Sequence, residues 1–145
     1  MSGADARWAG DSRWDHFIYT VFRFVICGIT RIVTRVTIEG QENLPTSGAY
    51  ILAPVHRSYV DTPITACVTR RRIRFMGKQE VWENKPAGWL ASTLGAFPVA
   101  RGKADREALK RCIVALEGGE VLMLFPEGER KDGPIVQPLF DGASY

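Results

Sequence analysis

Cysteine is scarce in this sequence. The three present, Cys27, Cys67 and Cys112, are an odd number, far apart, without Cys-x-x-Cys spacing or histidines at metal-ligand distance. That pattern speaks against a disulfide framework and a metal centre. It reads as reduced core or interface thiols in a cytosol-facing protein. An excess of charge of one sign is missing too: the net charge is only +3, so where the basic residues sit matters more than their sum, and nucleic acid is not an expected partner. The Gly-x-Ser-x-Gly elbow of a serine hydrolase is absent. So are internal repeats, low-complexity tracts, a small-residue signal cleavage site and a run of about 18 uncharged apolar residues.

What remains is one globular chain. An apolar fraction of 46% over 145 residues supports a single core. Residues 1–36 read as a tail followed by an apolar segment, and 37–145 as the α/β domain. From Trp14 to Val36 the segment is rich in Phe, Ile and Val but interrupted by Arg23, Arg31 and Arg35. Flanked by Trp8 and Trp14, it suits an amphipathic helix docked in one leaflet of a membrane. A core-packing helix is the alternative. Gly28 is a possible kink.

The domain alternates strand-like and helix-like stretches, which favours a mixed, largely parallel sheet flanked by helices. Val36 to Gly40 reads as a short strand and Ala49 to Val55 as a buried one. A helix follows from Tyr59 to Thr69. The basic run Arg70, Arg71, Arg72, Arg74 and Lys78, alternating with Ile73 and Phe75, reads as a strand with one wet face. That face is either a solvated edge or a cationic lip for anionic headgroups. Helical pieces hold Trp82 and Trp89, and Phe97 to Ala100 is a strand delivering Arg101 at its carboxyl end. Gly102 to Gly119 is a helix capped by Asp105, with Leu109, Cys112, Ile113 and Leu116 on the inner face. Val121 to Phe125, a continuous apolar run, reads as a central strand buried on both faces.

The chemistry-bearing residues lie where these strands end. His56 stands five positions before Asp61. On one helix such residues sit about 140° apart and do not meet. The histidine therefore belongs in a turn, and Asp61-Thr62-Pro63 starts the helix after it. An imidazole fixed by a carboxylate is suited to taking a proton from a hydroxyl. Ser58 beside it keeps a covalent Ser-His-Asp route open, and backbone N–H groups at the helix start are candidate oxyanion donors.

Two further stretches, Gly95 to Arg101 (Gly-Ala-Phe-Pro-Val-Ala-Arg) and Phe125 to Arg130 (Phe-Pro-Glu-Gly-Glu-Arg), complete a pattern. With His56 to Asp61 they resemble, in order and spacing, three blocks of the glycerolipid acyltransferases, more narrowly the 1-acylglycerol-3-phosphate acyltransferase type. Glu129 replaces the usual small hydroxyl residue, and no clear fourth block precedes Tyr145, so the domain is expected to continue. The resemblance implies acyl transfer from a thioester, acyl-CoA or acyl carrier protein, to the hydroxyl of a lysophospholipid. It implies a membrane surface as partner, on the cytoplasmic face. His56 and Asp61 would be catalytic. Arg101 and Arg130 would hold the acceptor phosphate, a task to which the guanidinium fork is suited. Glu127 would contact the acceptor or orient an arginine, Gly128 would let backbone approach the ligand, and Gly95 and Phe97 would line the substrate site. No metal or redox cofactor is expected, because a thioester is already activated. An inactive lipid-binding module is the alternative of a different class.

Overall fold

Four short parallel strands carry the loops that matter. They are β1 (Tyr50–Leu52), β2 (Ile73–Lys78), β3 (Ala96–Val99) and β4 (Val121–Met123), in the order β1-β4-β2-β3. The computed structural model describes residues 12–100, 105–133 and 135–140. Parallel neighbours need crossovers, and these are α2 (Asp61–Val68), α3 (Lys85–Thr93) and α4 (Arg106–Glu117), preceded by α1 (Arg13–Val33). The α/β class read from the alternation is the observed one.

β4 lies between β1 and β2, and Val121, Leu122 and Met123 are all buried. This is the central strand expected of a continuous apolar run. β1 is shorter than expected and half-buried, because it is a sheet edge and leaves the ladder after Leu52. Residues 36–40 form no strand, since no neighbour pairs with them.

α4 starts where expected. Asp105 Oδ1 accepts from the N–H groups of Glu107 and Ala108, and its Oδ2 accepts from Ala100 N–H, tying β3 to the helix. Its inner face is rotated from the expected one. Ala108, Cys112 and Ala115 are buried, Leu116 packs beside them, and Leu109 and Ile113 are exposed. Small residues at this spacing let the helix lie close on Phe97 and Leu122.

The basic run is neither a wet edge nor a cationic lip over its central part. β2 is an inner strand, and Arg74 is buried against the carboxylate of Glu120. Arg71 forks to the carbonyls of Gly48 and Gly119, and Arg72 reaches that of Thr93 at 2.7 Å. These guanidiniums satisfy loop and helix-end carbonyls.

α1 runs unbroken through Gly28 and begins with a capping box between Ser12 and Asp15. Tyr19 and Cys27 are buried against the domain. Arg23 Nε donates to the carbonyls of Ala66 and Thr69, and Gln41 to those of Cys67 and Val68, closing the carboxyl end of α2. The outer face stays apolar: Phe24 is 78% exposed and Ile32 87%. At about 1.5 Å per residue the helix is about 31 Å long. By length and composition it is able to cross a bilayer, although its arginines interrupt the apolar run.

Gly95 is set by backbone packing. Its φ is +95°, and a Cβ there would stand 2.5 Å from the carbonyl oxygen of Ile73. Gly95→Ala is expected to lower the unfolding free energy by about 2 kcal/mol or more. Urea denaturation checks this, and an unchanged midpoint would refute the packing role.

Candidate active site

In an all-parallel sheet every strand delivers its following loop to the same edge. His56 follows β1 and Glu127 follows β4, neighbours in the sheet. Asp61 opens α2, and its Oδ2 takes three donors: His56 Nδ1 at 3.0 Å, Arg57 N–H at 2.6 Å and Ser58 N–H at 2.7 Å. The turn between them brings the ring back onto the carboxylate. The His56 ring stacks on Phe125, with centroids 3.9 Å apart and planes 18° from parallel. A carboxylate opposite Nδ1 favours the tautomer protonated there and leaves Nε2 as the acceptor. Burial alone would raise the Asp61 pKa. The Ser58 N–H, the His56 ring and the Arg57 N–H outweigh it, and the net shift is downward.

The second carboxylate holds the backbone of the same residue. Glu127 is fully buried, and its Oε2 accepts from His56 N–H at 2.6 Å. Its Oε1 faces Arg57 Nη2 at 3.2 Å and accepts from Gln137 N–H at 3.4 Å. Its pKa lies below the ordinary carboxylate value, chiefly through the His56 N–H, against the opposing effect of burial. Gly128 next to it has φ +73°, and a Cβ would stand 3.1 Å from the Phe140 ring. Arg130 lies at the surface, its guanidinium 3.4 Å from the centroid of the Tyr59 ring, with Nη2 donating to the Tyr59 hydroxyl at 2.7 Å. Lys131 N–H donates to the His56 carbonyl at 3.0 Å.

His56, Asp61, Glu127, Gly128 and Arg130 are thus brought together. Gly95 and Phe97 are not. Gly95 precedes β3, at the opposite edge of the sheet, and Phe97 is packed in the core with Ala108, Cys112 and Leu122. The structure places these two away from the His56 turn, Gly95 against the Ile73 carbonyl and Phe97 in the core. Arg101 lies outside the described residues. Glu127 faces inward onto Arg57 and the His56 amide. The Ser58 hydroxyl accepts from Val60 N–H. The N–H groups of Arg57, Ser58, Val60 and Asp61 all have local partners, so these four are not free for an oxyanion.

The sequence has relatives among known proteins. The model of the family described as acyltransferase matches residues 35–144. The chain belongs to the acyltransferase family. It is 31% identical over 109 residues to a 1-acyl-sn-glycerol-3-phosphate acyltransferase of Bacillus subtilis, covering 74% of this chain and 54% of that protein. It is 33% identical over 105 residues to a chloroplastic 1-acyl-sn-glycerol-3-phosphate acyltransferase of Arabidopsis thaliana, covering 70% and 29%. A lyso-ornithine lipid O-acyltransferase of Pseudomonas aeruginosa is 33% identical over 79 residues, covering 54% and 30%. The chain therefore spans about half the length, or less, of these relatives. No solved structure matches.

Beside the candidate site lies an apolar cavity of about 190 Å³. It is walled by Tyr19, Phe22 and Ile26 of α1, Pro63 and Ala66 of α2, and Met123 of β4. Its α2 wall starts one residue beyond Asp61, at Thr62. Among the described residues no group of His, Cys, Asp and Glu is placed to hold a metal ion. All three cysteines are free and buried, and burial together with neighbouring Cys27 pushes the Cys67 thiol up to about 11.

Two residues of the site escaped the sequence reading. They are Arg57 and Tyr59, to which the residue pattern assigns no role. The available signal was Glu127, a carboxylate at the end of an apolar strand, which needs a counter-charge once buried. Arg57 supplies it, and Tyr59 carries Arg130.

Asp61 and Glu127 both hold their protons less tightly when folded than when unfolded. Their contribution to stability is complete above the ordinary carboxylate range near ~4 and is lost as pH falls through the lower folded values. Acid titration of the unfolding free energy should show this loss below about pH 4. Asp61→Asn should flatten the profile, and an unflattened one would contradict the assignment.

Proposed function

We propose that the protein transfers a fatty acyl group from an acyl thioester to the sn-2 hydroxyl of 1-acylglycerol-3-phosphate, giving phosphatidic acid. The observation that carries this reading is the His56 ring, fixed by Asp61 at Nδ1 with Nε2 left for a hydroxyl. His56 Nε2 takes the acceptor's proton, and the alkoxide oxygen attacks the thioester carbonyl. The tetrahedral intermediate collapses with cleavage of the C–S bond, and the imidazolium returns the proton to the leaving thiolate. No acyl-enzyme is needed, and the Ser58 hydroxyl, turned to Val60, takes no part.

Acyl-CoA or acyl carrier protein is the donor, used as substrate rather than cofactor. The cavity beneath α1 suits an alkyl chain, being apolar and next to the base. Arg130 and Arg101 hold the acceptor phosphate. The exposed apolar face of α1 rests in the cytoplasmic face of the membrane without crossing it, where both lipid substrates reside. A second reading, with another lysolipid as acceptor, draws on the likeness to the lyso-ornithine lipid enzyme.

The test is thiol release from palmitoyl-CoA and from palmitoyl-acyl carrier protein, by protein reconstituted in lipid, with and without 1-acylglycerol-3-phosphate. Acceptor-dependent release is expected. His56→Ala should lower it by roughly 10²–10⁴-fold while leaving donor binding intact, and Arg130→Ala should mainly raise the acceptor KM. Near-normal turnover by His56→Ala would end the general-base assignment. Release dependent only on a phosphate-free lysolipid would favour the second reading.

Membrane docking has its own readout. Replacing Phe24 and Ile32 with asparagine should weaken partition onto phospholipid vesicles by about tenfold or more per residue, since each withdraws a large apolar side chain from lipid. Unchanged vesicle flotation would show that this face is not the docking surface.

A further inference from the structure

We infer that Arg57 is a positioning residue for the acceptor, clasping the loop that carries Arg130 to the turn that carries His56. The inference rests on the acyl-transfer reading of the same site. Between Leu124 and Phe140 the described chain has neither helix nor strand, so its place relative to His56 is set by individual bonds. Arg57 makes the largest share of them that cross to the His56 turn. Nη1 donates to the Lys131 carbonyl at 3.0 Å, and Nη2 donates to the Ile135 carbonyl at 2.7 Å and faces Glu127 Oε1 at 3.2 Å. At its other end, Arg57 N–H is fixed on Asp61 Oδ2. The Lys131 N–H to His56 carbonyl bond closes the same junction.

One residue therefore joins both carboxylates of the site, Asp61 through its backbone N–H and Glu127 through its guanidinium, to the segment on either side of Arg130. The task suits a guanidinium, whose planar fork reaches two carbonyls and a carboxylate at once, where an ammonium serves as a point charge. The side chain is 25% exposed and points into the loop. Arg57 does not touch the proposed reacting atoms. Its effect falls on where Arg130 stands, and so on binding of the acceptor's phosphate.

A generally destabilising residue would lower turnover on every acceptor alike, whereas a clasp on the Arg130 loop discriminates. In the reconstituted protein, Arg57→Ala should raise the KM for 1-oleoylglycerol-3-phosphate by about tenfold or more. The KM for palmitoyl-CoA should hardly change, and any turnover of 1-oleoylglycerol should fall less than that of 1-oleoylglycerol-3-phosphate. Hydrogen–deuterium exchange should quicken over residues 128–136 and stay unchanged in α4. Protection of that loop should need about tenfold more 1-oleoylglycerol-3-phosphate than in the parent protein. Arg57→Lys should keep the charge beside Glu127, fold normally and still show the raised acceptor KM. This variant carries the test if the alanine variant does not fold.

Equal losses on both acceptors, unchanged exchange in the loop, or full restoration by lysine would each overturn the clasp. If the parent protein binds 1-oleoylglycerol-3-phosphate but releases no thiol, the transferase reading fails. The exchange measurements then decide the role of Arg57 by themselves.

Discussion

A carboxylate with no exposure to water has to draw its solvation from the protein, and Glu127 is in that position. It takes the His56 and Gln137 N–H groups and faces the Arg57 guanidinium. Charge-assisted bonds of this kind offset desolvation only when geometry is good and every partner is in place. The ends of β1 and β4 are therefore not independent loops on a shared edge. One buried charge locks them together, and the proposed base sits on the lock.

Asp61 completes the arrangement from the other side. Glu127 holds the His56 backbone, and Asp61 holds its ring and the two following amides. A base fixed at both backbone and ring loses little freedom when substrate arrives, which is what positioning contributes to catalysis. The same turn also engages Ser58. Its amide donates to Asp61 and its hydroxyl accepts from the Val60 N–H.

Legibility in the sequence followed locality. The His56–Asp61 turn, the Asp105 cap and the β4 core strand were readable because each is fixed by residues close in sequence or by a continuous apolar run. Sheet order is a long-range property, and it decided the misreadings. Once β2 lies inside the sheet, an alternating basic strand has to hide Arg74, and Glu120 answers it from the approach to β4. The α4 face was misjudged because periodicity at 109, 113 and 116 competes with that at 108, 112 and 115. Close approach to Phe97 selects the small residues. Gly95 and Phe97 show the same dependence on distant partners, the first set by the Ile73 carbonyl and the second by the core. Arg57 was invisible because its partners Glu127, Lys131 and Ile135 lie some seventy residues away.

α1 inverts the arrangement of an ordinary surface helix. Toward the domain it offers Arg23 and the Tyr19 hydroxyl, which meet the α2 carbonyls and the Ile73 N–H. Outward it offers Phe17, Phe24, Ile32 and Val33. In water that outer face is unfavourable by about 25 cal/mol per Å², with nothing among the described residues to cover it; against lipid the term disappears. The polar inner contacts fix where such a surface would lie, since Arg23 ties α1 to the end of the helix that begins with Asp61. The cavity walls come from both helices. On the proposed reading, the helix that touches lipid is also a wall of the acyl-chain site. Docking and chain binding are then properties of one interface.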